Sequence, residues 1–245
     1  MREKICLNTS NARAFISAQS AVTARDPGLP AIILAHGESG RGKTSVCAHM
    51  AVKQGAIFIT MIPIMTPNWM LSKMCQELGQ KPTRSCGPMF EFVARELTEN
   101  PRPIYIDESD AIAEKKDLLE TLRILHDLTA VPLVLIGGTA EFRMKVLRRP
   151  QIERRVLRDV EFKPSSLDDS RILSTELAEV RIADDLVEAI HRKSRGSAGL
   201  LVKELAAVEG FCRRRGLSKI ALAEYPMDDS TPPPVNRRAD LSAAA

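Results

Sequence analysis

Aromatic side chains are scarce in this 245-residue chain, with 7 Phe, 2 Tyr and 1 Trp, so aliphatic residues must dominate any core. Long apolar runs are missing too. The longest, such as Ala31–Ala35 and Pro132–Ile136, are strand-sized and far below the roughly 18 residues a membrane helix needs. Residues 1–8 contain neither an apolar signal core nor a cleavage pattern, so neither secretion nor membrane spanning is expected. The five cysteines, Cys6, Cys47, Cys75, Cys86 and Cys212, are odd in number and form no C-x-x-C pair. No histidine stands at a zinc-like spacing from them, which argues for reduced, mostly buried thiols rather than a disulfide framework or a zinc site.

What is present is a mildly basic, ordinary globular composition: 44% hydrophobic, 27% charged, net charge +4. The positive charge is concentrated. One cluster holds Arg143, Lys145, Arg148, Arg149, Arg154, Arg155 and Arg158; another holds Arg192, Lys193, Arg195, Lys203, Arg213, Arg214, Arg215 and Lys219. Such clusters are an electrostatic footprint for polyanions, although solvated helix faces look alike.

Helical spacing of Ala14, Phe15, Ala18, Ala21 and Val22 predicts a helix within residues 8–25, capped by Thr9 or Ser10 and broken by Asp26-Pro27-Gly28-Leu29-Pro30. Continuous apolar runs at 31–35, 56–60, 103–107 and 132–136 read as strands, with helices at 44–52, 67–79, 87–99 and 115–129 between them. That alternation predicts an α/β fold with a mostly parallel sheet covered by helices on both faces. After Phe162-Lys163-Pro164 the pattern becomes three helices, 167–180, 183–194 and 197–215, with no strand between them. The expected organisation is an N-terminal helix and linker (1–30), an α/β domain (31–164), a small all-helical lid domain (165–222) and a Pro/Ala-rich tail (223–245).

Gly37-Glu38-Ser39-Gly40-Arg41-Gly42-Lys43-Thr44 satisfies G-x-x-x-x-G-K-[ST] between a buried strand and a helix, the context a phosphate-binding loop requires. Its glycines let successive N–H groups point at phosphate oxygens, and the following helix, beginning near Ser45, adds the positive end of its dipole. Lys43 is expected to reach the β- and γ-phosphates of ATP, and the Thr44 hydroxyl to hold Mg²⁺. Ile104-Tyr105-Ile106-Asp107-Glu108 supplies the acidic half. Asp107 would bind the Mg²⁺ shell, and Glu108 would orient or deprotonate the attacking water. Thr139, just past the fourth strand, could bond that water or simply cap the next helix. Arg154 and Arg155 lead the candidates for an arginine finger offered to a neighbouring subunit.

With these motifs the chain resembles the AAA+ ATPases, and among them the transposition regulators typified by the phage Mu B protein, TnsC and TniB. The resemblance spans roughly residues 8–220. It rests on the Gly37–Thr44 loop, the Ile104–Glu108 strand end, the Leu135–Thr139 segment and the lid phrase Ser194–Leu205. It implies a P-loop AAA+ parallel sheet with helices on both faces, followed by a small helical lid. It also implies a cytoplasmic, phage- or transposon-encoded ATPase that binds double-stranded DNA without sequence preference. Such a protein would self-associate into rings or filaments and would recruit a DDE transposase. Lys73, Lys81 and Arg84, within Thr66–Arg84, are the first candidates for the DNA surface, and Lys115 and Lys116 the second. Two departures stand out: Gly199 and Leu200 occupy the region where many AAA+ lids carry a sensor arginine, and only about 30 residues precede the loop, too few for a separate DNA-binding domain. Other readings are an ExeA-like ATPase directed at proteins, a small-molecule kinase or nucleotide switch, and a static nucleotide-bound module. ATP-dependent DNA binding, acceptor phosphorylation or indifference to loss of Glu108 would separate them.

Overall fold

The computed structural model describes residues 1–2, 4–26, 28–138 and 140–227. Five parallel strands form the central sheet: β1 (Ile32–His36), β2 (Ile57–Thr60), β3 (Ile104–Asp107), β4 (Leu133–Ile136) and β5 (Val156–Glu161), in the order β2-β3-β4-β1-β5. The three inner strands β3, β4 and β1 are buried along their length, as their uninterrupted apolar sequences require.

Strand alternation divides the core in two. Ile32 and Leu34 join Ile104, Ile106, Leu133 and Leu135 on one face. There they meet α3 (Pro67–Glu77), α4 (Cys86–Glu99) and α5 (Lys116–Thr129) through Met70, Met89, Val93, Leu118 and Leu122. Ile33 and Ala35 join Tyr105, Val134 and Ile136 on the other. There they meet α1 (Ser10–Thr23) and α2 (Lys43–Lys53) through Phe15, Val22, Val46 and Cys47. Each such side chain taken from water contributes about 1.5–3 kcal/mol, so the sheet cannot slip by one residue without exposing both layers. Helices α6 (Ala140–Leu147) and α7 (Pro150–Glu153) lead from β4 into β5.

β5 was not expected from sequence. Its polar residues Arg158, Asp159 and Glu161 are exposed, and as an edge strand it needs no continuous apolar run.

The lid consists of α8 (Leu167–Leu177), α9 (Asp184–Ser194) and α10 (Ala198–Arg215), packed through Leu173, Leu186, Ile190, Leu201, Leu205 and Val208. The expectation of no strand between these helices is corrected by β6 (Arg181–Ile182), which pairs in parallel with β7 (Lys219–Ile220). Two-residue strands are too short to show periodicity. The first lid helix also ends at Leu177 rather than residue 180, because Ala178 is extended. Neither Thr9 nor Ser10 caps α1 through its own side chain; the Asp169 carboxylate does, accepting from the Ser10 N–H. Among the described residues no helix is long and apolar enough to cross a membrane. Cys6, Cys47, Cys75 and Cys212 are free and buried, Cys86 is free and exposed, and no metal-binding cluster occurs among the described residues.

Candidate nucleotide site

The loop at residues 37–42 leaves the tip of β1 and turns into α2. Its shape depends on glycine at two close approaches. Gly37 has φ 144° and passes so near β5 that a Cβ would lie 2.4 Å from the Phe162 carbonyl oxygen. Gly40 has φ 78°, and a Cβ there would lie 2.7 Å from Ser197 Oγ of the lid. Phe162 N–H donates to the His36 carbonyl at 2.7 Å, and His36 Nε2 lies 3.0 Å from Asp159, which fixes the loop's entry against β5.

Lys43 is buried, and its ammonium donates to the Gly37 and Glu38 carbonyls at 2.5 and 2.8 Å. Burial lowers its pKa, while the carboxylates of Asp110, Glu108 and Asp107 pull the other way. A buried ammonium whose hydrogen-bond acceptors are loop carbonyls fits a phosphate chain, which would offer it stronger, charge-assisted acceptors. The Thr44 hydroxyl donates to Asp107 Oδ1 at 3.4 Å, so a hydroxyl and a carboxylate converge beside the loop, an oxygen donor set suited to Mg²⁺.

Asp107 closes β3 and is buried; Glu108, next in the chain, is exposed. Glu108 holds a left-handed backbone, φ 53°, which costs a non-glycine residue about 1–2 kcal/mol. The turn enforces it: Glu108 N–H donates to Asp107 Oδ1 at 3.0 Å, and the buried Ser109 hydroxyl donates to the Ile106 carbonyl at 2.8 Å. Asp110 accepts a hydrogen bond from the Gly138 N–H, joining this acidic turn to the end of β4.

Lys43, Thr44, Asp107 and Glu108 line one cleft of about 490 Å³, a size in the range of small-molecule sites. Ser39 to Val46, Asp107, Glu108, Gly137 and Gly138 form one wall; Ser165, Leu173, Leu177, Ala198, Gly199 and Val202 form the lid side. Sequence reasoning missed the third wall, which is the segment before α1: Met1, Lys4, Ile5, Cys6 and Thr9. No motif marks it; the only hint is the apolar Ile5-Cys6 pair ahead of the helix. Arg2 N–H donates to the Leu177 carbonyl at 2.8 Å and Lys4 pairs with Glu176 at 3.0 Å, binding this segment to the lid.

The predicted finger and DNA-surface residues are not among those that line the cleft. Thr139 and the tail from residue 228 fall outside the described residues. Arg155 is held by the Asp127 carboxylate, with Nη2 to Oδ2 at 2.6 Å, and donates to the Gln151 carbonyl. Arg154 is exposed and makes no side-chain hydrogen bond or ion pair among the described residues. Lys81, Arg84 and Lys116 are exposed and Lys73 half-buried. The Lys115 ammonium is occupied: it donates to the carbonyls of Pro63 and Met65, the latter at 3.0 Å. Those bonds tie Lys115 to the loop that precedes Thr66–Arg84; in that loop Ile64 is 73% exposed, and Trp69 in α3 is 39% exposed.

Residues 28–146 match the family model described as an AAA domain. No curated protein matches the sequence. Among solved structures, the chain is similar to the Aeropyrum pernix Orc1 protein in complex with DNA (TM-score 0.65, 17% identity, covering 88% of this chain and 63% of that one). It is similar to Cdc6p from Pyrobaculum aerophilum (TM-score 0.68, 16% identity, 90% and 66%). It is also similar to the Thermotoga maritima RuvB Holliday junction branch migration motor (TM-score 0.55, 18% identity, 85% and 63%). The chain thus spans just under two thirds of the length of each of these structures. The five-stranded parallel sheet, the loop at the tip of β1 and the helical C-terminal part give the chain the P-loop AAA+ fold, residues 28–146 being the part that the AAA domain model matches.

Proposed function

We propose that this chain is an ATP-dependent, sequence-nonspecific DNA-binding ATPase that acts in transposition target selection, assembling on DNA and recruiting a transposase. The observation that carries the ATPase reading is the convergence of Lys43, Thr44, Asp107 and Glu108 at one cleft. Residues 31–164 form the nucleotide-binding domain and 165–222 the lid. The loop N–H groups from Glu38 to Ser45 and the Lys43 ammonium hold the phosphates, and Thr44 and Asp107 hold Mg²⁺. Bound Mg²⁺ would neutralise charge on the phosphate oxygens. Glu108 would accept a proton from water as the water oxygen bonds to the γ-phosphorus and the bond from that phosphorus to the β–γ bridging oxygen breaks, releasing ADP and inorganic phosphate. Arg154, without a side-chain partner among the described residues, is the residue offered to a neighbour's nucleotide; Arg155, beside it, is tied to Asp127 of α5.

The DNA surface is built on Lys73, Lys81, Arg84 and Lys116, with Lys115 holding the 63–65 loop in place. The matches to Orc1 in complex with DNA and to a Holliday junction motor support a DNA substrate, and the resemblance to the Mu B protein, TnsC and TniB supports the transposition role. Exposed Ile64, in the 63–65 loop, and Trp69, in α3, favour the second reading, an ATPase directed at a protein partner.

Fluorescence anisotropy of a labelled random-sequence duplex, with ATP, ADP or no nucleotide at two salt concentrations, tests the proposal. Binding that requires ATP and weakens steeply with salt is expected. No binding in any nucleotide state removes the DNA role and leaves the protein-directed reading.

A further inference from the structure

The lid sends no cationic side chain into the cleft: Leu173, Leu177, Ala198, Gly199 and Val202 are its contributions there, with Ser165 at its base. Its connection to the phosphate loop runs instead through backbone groups and the loop's own Arg41. Gly199 N–H, in the first turn of α10, donates to the Gly40 carbonyl at 2.9 Å. An amide at that position has no acceptor within its own helix, so Gly40 is what satisfies it. Beside it, the Arg41 side chain is only 10% exposed although it belongs to an open loop. Its guanidinium pairs with Glu38 across the loop, and Nη1 approaches the Arg195 carbonyl at 3.4 Å.

Arg195 is no ordinary acceptor. It ends α9 in a left-handed conformation, φ 50°, and Gly196 follows with φ 72°. A Cβ on Gly196 would lie 2.8 Å from Pro164 Cβ, and Ser165 N–H donates to the Gly196 carbonyl at 2.8 Å. This corner is therefore where the chain leaving the sheet meets the turn into α10. A planar guanidinium can hold a carboxylate and a carbonyl at once because its donors are fixed in a fork.

We infer that Arg41 is a positioning residue that docks the lid on the phosphate loop, so that what occupies the loop sets where the lid sits. The inference rests on the nucleotide reading of the cleft and deepens it. Phosphates entering the loop change the partners open to the Glu38–Arg41 pair, and the Arg195–Gly196 corner carries that change into α10.

The test is hydrogen exchange of the Gly199 amide, followed by NMR on the full chain. The neighbouring Leu200 amide, which donates to Ser197 Oγ at 3.3 Å within the same turn, is the internal control. Without nucleotide, Arg41→Ala should speed Gly199 exchange about tenfold, the effect of losing one charge-assisted bond, while Leu200 and the β3 amides keep their rates. Arg41→Lys should behave like Arg41→Ala, since an ammonium does not reproduce the fork. Glu38→Gln, at a side chain 75% exposed and safe for folding, should move Gly199 in the same direction. Adding ATP and Mg²⁺ should change Gly199 exchange in the wild type and leave it unchanged in Arg41→Ala. Equal Gly199 exchange in wild type, Arg41→Ala and Glu38→Gln, or full rescue by lysine, overturns the inference. A wild type that binds no ATP overturns the nucleotide reading instead, and direct ATP titration distinguishes the two.

Discussion

Asp169 accepts hydrogen bonds from both the backbone N–H and the hydroxyl of Ser10, at 2.7 and 2.6 Å, across 159 residues of sequence. The same carboxylate accepts from Ser166 N–H at 3.0 Å, so one lid side chain caps the start of α1 and the start of α8 together. Burial alone would push this carboxyl upward; the bonds from Ser10 and Ser166 outweigh it and hold the pKa below the usual range. A depressed carboxylate stabilises the fold above its unfolded pKa, near 4, and that contribution is lost as pH falls through the lower folded value. Asp169→Asn should cost about 1.5–3 kcal/mol at neutral pH and flatten the acid limb of a melting-temperature profile below about pH 4.

His126 runs on the same principle with a base. It is buried, bonded through Nδ1 to the Val131 carbonyl at 2.8 Å, and burial lowers its pKa. Its neutral form belongs to the fold, so its contribution is complete above the free-histidine value of about 6.5 and falls as pH drops below it. Thermal melts from pH 7.5 to 5 should show this loss in the wild type and a smaller slope in His126→Gln.

Glu108 couples activity to strain. Glu108→Gln should keep ATP binding and slow turnover by about 10²–10⁴-fold, measured by phosphate release. Glu108→Gly should be equally inactive yet melt higher, since glycine relieves a left-handed strain of about 1–2 kcal/mol. Normal turnover in Glu108→Gln would remove it from the reaction.

Lys43→Ala should weaken ATP binding by about a hundredfold or more in a direct titration, through loss of charge-assisted bonds to two phosphates. Gly37→Ala should lose binding for a different reason. Its methyl would meet the Phe162 carbonyl at 2.4 Å, so the loop and β5 must part, and the melting temperature should fall as well.

The sheet was legible in the sequence where burial on both sides leaves an unbroken apolar run, as in Ile32–Ala35 and Leu133–Ile136. The loop and the Asp107-Glu108 pair were legible because phosphate chemistry demands those residue types at that spacing. β5 was not, because the exposed Arg158, Asp159 and Glu161 of an edge strand interrupt its apolar run, and Arg158 read as the end of a basic cluster. The cleft's third wall was hidden for another reason. Ile5 and Cys6 gain meaning only from Leu173 and Leu177, which lie far along the chain and come beside them through lid packing. Lys115, read as a candidate surface contact, spends its charge on two carbonyls that no periodicity reveals.

The strand order has one more consequence. β4 lies between the loop-bearing β1 and the acid-bearing β3, and neighbouring strands stand about 4.8 Å apart, so the two working tips are separated by about 10 Å. The spacer ends in Gly137 and Gly138; a Cβ on Gly137 would collide with the Phe142 ring at 2.1 Å. The spacing between the Gly37–Thr44 loop and the Asp107-Glu108 turn is thus gauged by the rigid hydrogen-bond ladder itself. Tuning of this machine is left to its roof, while its floor keeps a constant width.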